Sequence, residues 1–223
     1  MSFQPLPTPF LAALETAAAG HRGVVEIGCG DGDFLRLLRP RCPGIIGVDR
    51  VRPSETTTAV VGDALAPPLR PGCCDLVIAA NLVRHLVPRQ RRCGFLATWA
   101  GLLGPGGSLF VFEDAPRRSG GPEGNYGRLQ DLLARLAPDQ RGGLLDRAAL
   151  LQRLPALGLT ATASGDGRNT WPLDAAVVLE FLERGRPRVG GEVAQLMARI
   201  ARQGIACGPY WWVRIERRED GGS

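Results

Sequence analysis

An apolar run that stops at an acid and then turns on alternate glycines, VVEIGCGDGDFL from Val24 to Leu35, admits few folds. The run reads as a buried strand, and the apolar pair Phe34 and Leu35 opens a helix. Glycine serves between them because the backbone must turn sharply off the strand and approach a ligand more closely than a Cβ permits. The helix that follows presents free amides and the positive end of its dipole to the same space. Gly28, Gly30 and Gly32 give G-x-G-x-G, and Asp33 stands where a dinucleotide fingerprint places its last glycine. The loop therefore points to a nucleotide and away from a nicotinamide dinucleotide.

The rest of the first half repeats the theme. GVVEIG (23–28), IIGVD (45–49), TAVVGD (58–63), DLVIAAN (75–81) and GSLFVFED (107–114) read as five strands, apolar enough for a parallel sheet covered on both faces. DFLRLLRPR, the weaker 64–70 region and NLVRHLVPRQRRCGFLATWAGLL supply the crossings, which predicts a doubly wound α/β fold. Upstream, PFLAALETAAAG predicts a helix closed by Gly20. Downstream, DRAALLQRLPALGL (146–159) predicts a helix, TATASG a sixth strand and PYWWVRIER (209–217) a seventh. The expected organisation is a single domain over 1–217, with an N-terminal helix within 1–20, a helical insertion at 171–208 and a disordered tail at 218–223.

Two helical patterns fill the insertion. One places Ala176, Val177, Leu179, Phe181 and Leu182 on a broad apolar stripe, and the other does so with Val193, Leu196, Met197 and Ile200. Both stripes must be buried against the sheet, each other or the second subunit of a homodimer. Nearly forty residues are far more than a strand-to-strand hairpin needs, so the insertion is expected to serve acceptor choice.

Composition narrows the class further. No apolar run approaches the roughly 18 residues of a membrane helix, and the opening MSFQPLPTPF lacks the layout of a secretion signal, so a cytoplasmic protein is expected. Six scattered cysteines without a C-x-x-C, and two histidines, give no zinc spacing, and no metal is expected. All 27 basic side chains are arginine and the net charge is +5, yet no run of five like charges appears. This reads as codon bias, and RNA is ranked below a small-molecule acceptor.

Acids at strand ends sharpen the ligand. Asp49 closes the second strand, where a carboxylate can accept from both hydroxyls of a ribose, and Asp63 closes the third, where it can accept from an exocyclic amine while the amide of Ala64 reaches a ring nitrogen. In order and spacing, VVEIGCGDG, GVDR, GDA, DLVIAAN and LLGPGGSLFVFE resemble the class I S-adenosylmethionine-dependent methyltransferases over roughly residues 20–115. The resemblance implies a seven-stranded, mostly parallel Rossmann-like sheet with its last strand antiparallel. It also implies S-adenosyl-L-methionine as cofactor, with S-adenosyl-L-homocysteine as product. Glu26, Gly28, Cys29, Gly30 and Gly32 would then surround the methionine part, with Asn81 beside it; Asp49 would hold the ribose, Arg50 one adenine face, and Asp63 with Ala64 its edge.

Methyl transfer from a sulfonium needs a nucleophile held in line and water excluded, and a general base is optional. His85, one helical turn beyond Asn81, is the candidate base; Arg84 stands where relatives often carry a paired histidine. Arg168, Asn169 and Trp171, entering the insertion, are candidates for contact with a small-molecule acceptor. The neutral Asn81 beside Glu113 and Asp114 argues against the magnesium site of catechol-methylating relatives. Two alternatives stand beside a small-molecule methyltransferase: an RNA methyltransferase, and a protein that binds the cofactor without transferring the methyl group.

Overall fold

Strands β1 (Val24–Ile27), β2 (Ile46–Asp49), β3 (Ala59–Val61), β4 (Cys74–Ala80), β5 (Leu103–Asp114), β6 (Leu159–Arg168) and β7 (Pro209–Arg217) pair into one seven-stranded sheet in the order 3-2-1-4-5-7-6. This computed structural model describes residues 8–52, 58–86, 94–115, 120–136, 143–169, 172–185 and 190–218. All pairs are parallel except those of β7, which runs antiparallel to both β5 and β6. β1 lies between β2 and β4, so the strand order reverses there. In open α/β sheets ligands bind outside the carboxyl ends of the strands at such a switch point.

The near-continuous apolar strands are explained by helices on both faces. They are α1 (Thr8–Ala18), α2 (Asp33–Leu38), α3 (Val83–Leu86), α4 (Gly94–Gly101), α5 (Gly121–Leu136), α6 (Arg147–Leu151), α7 (Ala175–Gly185) and α8 (Gly190–Gln203). Successive residues of β4 and β5 point to opposite faces. Val77 and Val111 pack with Phe95 and Trp99 of α4, whereas Ile78 and Phe110 pack with Phe10 and Leu14 of α1 and Leu35 of α2. A third cluster joins α5 to the insertion helices through Tyr126, Leu129, Leu132, Leu182, Leu196 and Ile200. No helix among the described residues is long and apolar enough to cross a membrane.

Four local differences from the sequence expectation have physical causes. The expected helix at 146–159 is helical only over Arg147–Leu151, with a 3-10 turn at Pro155–Leu157, because Pro155 has no amide hydrogen to continue the ladder. β5 starts at Leu103, earlier than expected, with a register shift against β4 between Cys74 and Leu76 that absorbs Gly104 to Gly107. α5 has no counterpart in the expectation: Gly121, Pro122, Gly124 and Gly127 lower helix propensity in its first half, and packing on α8 overrides it. On α7 the stripe is narrower than expected. Leu182 is buried and Leu179 partly so, but Val177 and Phe181 remain 56% and 48% exposed. The α8 stripe is as expected, with Val193, Leu196 and Ile200 buried and Met197 against them. Of the tail, only Arg218 is described, its amide bonded to the Gly158 carbonyl at 2.9 Å.

Candidate functional site

A cleft of about 330 Å³ opens at the carboxyl ends of β1, β2 and β3. Its walls include Gly28, Asp49, Arg50, Asp63, Ala64, Leu82 and His85. Six of the residues singled out from the sequence thus meet in one space, contributed by turns far apart in the chain.

The glycine loop is built as its spacing requires. Gly28, Gly30 and Gly32 have φ of 75°, 51° and 77°, the left-handed region that glycine enters freely. The Gly28 amide donates to the Val48 carbonyl at 2.7 Å, which fixes the loop to β2. A Cβ on Gly28 would stand 2.7 Å from Cδ1 of Leu82, so the turn after β4 presses on the loop directly. The Cys29 thiol is turned away from the cleft toward Gly47, and burial pushes it up to about 12, leaving the backbone of Cys29 as its contribution to the loop.

The acids form two stations. Asp49 accepts the Gly30 amide at 2.9 Å through Oδ2 and the Val51 amide at 3.1 Å through Oδ1, leaving lone pairs on both oxygens for a ligand diol. Asp63 accepts the Leu65 amide at 2.9 Å and the Arg50 guanidinium at 2.6 Å. Arg50, expected on one adenine face, is therefore paired with the residue expected at the adenine edge, and both side chains are about half exposed. Trp99, fully buried, donates to the Ala64 carbonyl at 2.8 Å and fixes that peptide from behind.

Glu26 supplies the most informative atom. It is 3% exposed, and its Oε2 has no hydrogen-bond partner among the described residues. Burial, then the nearby Asp49 and Asp33, hold its carboxyl well above the usual range. An unpaired buried carboxyl is costly unless a partner arrives. A cationic or amine-bearing ligand reaching past Gly28 fits that need, and a ligand joining an amine to a nucleoside fits Glu26, Asp49 and Asp63 together.

Next to the cleft, Arg84 organises a buried network that the sequence did not disclose. Its Nε donates to Glu113 Oε1 at 2.8 Å and its backbone amide to Glu113 Oε2 at 2.9 Å. One terminal nitrogen donates to the Tyr126 hydroxyl at 2.9 Å, and the other to Asn81 Oδ1 at 2.6 Å and Asp114 Oδ2 at 2.8 Å. Tyr126 in turn donates to Asp114 at 2.6 Å. Burial disfavours the Arg84 charge, but Glu113 and Asp114 outweigh it and hold the guanidinium above its ordinary value. Burial likewise raises the Tyr126 phenol, so it stays protonated. The available signal was an arginine in a histidine's place together with adjacent acids closing β5; the tyrosine lay in a helix the sequence did not reveal.

The remaining candidates divide between the cleft and the far side of the sheet. Asn81 closes β4 at φ 55°, and His85 lines the cleft among Leu82, Leu86 and the two acids. Arg168 forms a two-pronged pair with Glu123 of α5, at 2.7 and 3.0 Å, and the Asn169 amide donates to the Gly208 carbonyl. Neither lines the cleft. β6 stands three strand spacings from β4 in the sheet, about 14 Å. Trp171 lies outside the described residues. Among the described residues no group of three or more metal-ligating side chains is found.

Residues 25–111 match the family model described as a methyltransferase domain. The tRNA (carboxymethyluridine(34)-5-O)-methyltransferase ALKBH8 of Mus musculus is 32% identical over 115 residues, covering 48% of this chain and 16% of that protein. The Homo sapiens protein named "Probable tRNA methyltransferase 9B" is 29% identical over 96 residues, covering 40% of this chain and 20% of that protein. The chain thus spans a fifth or less of the length of these relatives. An S-adenosylmethionine-dependent methyltransferase from Geobacter sulfurreducens, solved with S-adenosyl-L-homocysteine, shares the fold with a TM-score of 0.54 at 19% identity, covering 96% of this chain and 93% of that one.

These relatives correct one expectation. A small-molecule acceptor had been ranked above nucleic acid, and both sequence relatives are named for tRNA.

Proposed function

Because this chain belongs to the class I S-adenosylmethionine-dependent methyltransferases, we propose that it transfers the methyl group of S-adenosylmethionine to RNA, with a tRNA nucleoside as acceptor. The observation that carries the acceptor is the alignment of nearly half the chain with tRNA methyltransferases. The net charge of +5 supports it, since arginine pairs well with phosphate oxygens.

S-adenosylmethionine supplies the activated methyl group. Within the chain, Glu26 is proposed to pair with the ligand ammonium, Asp49 to accept from the ribose hydroxyls, and Asp63 with the Ala64 amide to read the adenine edge. Arg50 is proposed to move from its pair with Asp63 onto the adenine face. The main work is to hold donor and acceptor in line and exclude water.

By likeness to the mouse relative's name, we place the acceptor atom at an oxygen of a carboxymethyl-bearing uridine. Such a carboxylate is already ionised at neutral pH and needs no general base. His85 is accordingly proposed as a wall of the nucleoside site, where it lines the cleft with Asp49 and Asp63. His85→Ala is then expected to weaken cofactor binding before it slows transfer.

The test is label transfer from methyl-labelled S-adenosylmethionine into bulk tRNA and into a panel of small carboxylic acids, phenols and amines, followed by nuclease digestion and mass spectrometry of the tRNA nucleosides. Label in a modified uridine is expected, with RNA affinity falling as salt rises. Label entering only the small-molecule panel overturns the RNA acceptor.

A further inference from the structure

We propose that Arg84 is a positioning residue for methyl transfer, fixing the Asn81–Leu82 turn of the cofactor cleft and helix α5 in one relation. The inference rests on the chain being a methyltransferase and does not depend on which acceptor it uses.

The geometry is a chain of tight contacts. α3 is described over Val83–Leu86. Its position comes from Arg84, whose backbone amide and guanidinium bond both carboxylates that close β5. The same guanidinium holds Asn81 Oδ1, while the Asn81 amide donates to the Phe112 carbonyl at 2.9 Å. Asn81 is the one non-glycine residue with positive φ among the described residues, a conformation that persists when its surroundings enforce it. Leu82 follows at once and leaves no slack against Gly28. A shift of the turn therefore passes into the glycine loop.

On the other side, Arg84 reaches Tyr126 of α5, and Tyr126 packs in the cluster that joins α5 to α7 and α8. One planar group thus touches the turn after β4, the end of β5 and α5 at once. Replacing a buried ion pair with apolar side chains is often neutral or stabilising, so stability alone is a weak account of this network. A planar fork with five fixed donors is suited to setting geometry, and lysine cannot reproduce it.

Two variants test this, Arg84→Lys and Tyr126→Phe, the second removing one hydroxyl and keeping the ring in its cluster. Both are expected to lower kcat on tRNA about tenfold or more, as misplacement of reacting groups does. In Tyr126→Phe, which leaves the Arg84 bond to Asn81 in place, affinity for S-adenosyl-L-homocysteine by calorimetry should stay within about threefold, which separates positioning from binding. A second arm needs no acceptor. Saturating S-adenosyl-L-homocysteine should slow amide hydrogen exchange in residues 81–86 and in α5 of the wild type, and Tyr126→Phe should keep the first effect and lose the second. Wild-type kcat and wild-type exchange in Tyr126→Phe overturn the inference, as does cofactor affinity falling in proportion to activity in both variants. Failure of the wild type to methylate tRNA counts against the RNA acceptor and leaves this inference to the exchange arm, where α5 still following ligand binding in Tyr126→Phe overturns it.

Discussion

Gly28→Ala separates what the glycine loop requires of its backbone from what it requires of its neighbour. At φ 75° an alanine Cβ crowds its own carbonyl, a strain of about 1–2 kcal/mol that the folded state bears alone. The same Cβ would lie 2.7, 2.8 and 3.1 Å from Cδ1, Cδ2 and Cγ of Leu82, so the leucine end must move. Leu82 is half-buried and lines the cleft, and the cleft is the open direction for it to take. Stability should therefore fall by about the backbone strain, because the leucine relocates rather than overpacks the core. Cofactor affinity should fall by more than about 1.4 kcal/mol, or tenfold, because the displaced side chain enters the ligand's space. Adding Leu82→Ala removes the displaced atoms and leaves the strain. Relative to Leu82→Ala alone, the double variant should bind S-adenosyl-L-homocysteine nearly normally while keeping the stability deficit, a coupling read by a double-mutant cycle. Calorimetry gives the affinities and urea unfolding the stabilities. If Gly28→Ala loses stability and affinity equally and Leu82→Ala restores neither, the contact between the two turns does not govern the cleft.

Three further outcomes follow from the site. Asp49→Ala should weaken S-adenosyl-L-homocysteine binding by more than about a hundredfold, since two hydrogen bonds to a charged acceptor contribute about 1.5–3 kcal/mol each, and unchanged calorimetric affinity refutes the ribose assignment. Glu26 has its folded pKa raised above the ordinary 4.5, so the stability its proton contributes is complete below that value and is lost as pH rises through the raised one. Glu26→Gln cannot ionise; its thermal midpoint should gain on the wild type from about pH 5 upward while cofactor affinity falls, and a flat difference up to about pH 8 contradicts the burial argument. Trp99→Phe should cost about 2 kcal/mol in urea unfolding, because it removes the donor to the Ala64 carbonyl and leaves a void in a fully buried position. A change within about 0.5 kcal/mol would show that carbonyl to be served by another donor.

What could be read in advance tracks how local the cause is. Gly28, Gly30 and Gly32 were legible because positive φ is a property of one residue and its tight turn. Asp49 and Asp63 were legible because each ends a strand whose apolar run announces its direction. The helix α5 was not, since three glycines and a proline argue against it locally while Tyr126, Leu129 and Leu132 earn their place only through α8, some seventy residues later. Arg84 was noticed as a departure from a pattern, but its meaning depends on Glu113, Asp114 and Tyr126, which converge only when β4, β5 and α5 are assembled. The stripe on α7 was drawn too wide because a helical period shows which residues share a face and not how much of that face a neighbour covers.

The strand order also dictates a schedule. β7 follows the other described strands in sequence yet sits inside the sheet, paired to β5 from Ser108 to Asp114 on one side and to β6 on the other. As the chain leaves the ribosome, β5 emerges long before its partner, with one edge open and Leu109, Val111 and Phe112 among its side chains. An open apolar edge of that kind templates pairing with other chains. The nascent protein therefore passes through an interval in which a chaperone, or the speed of synthesis itself, decides between folding and aggregation. A stop codon before Pro209 would make that interval permanent, removing the strand that joins β6 to the rest of the sheet and leaving the β5 edge open while every residue lining the cleft is still encoded.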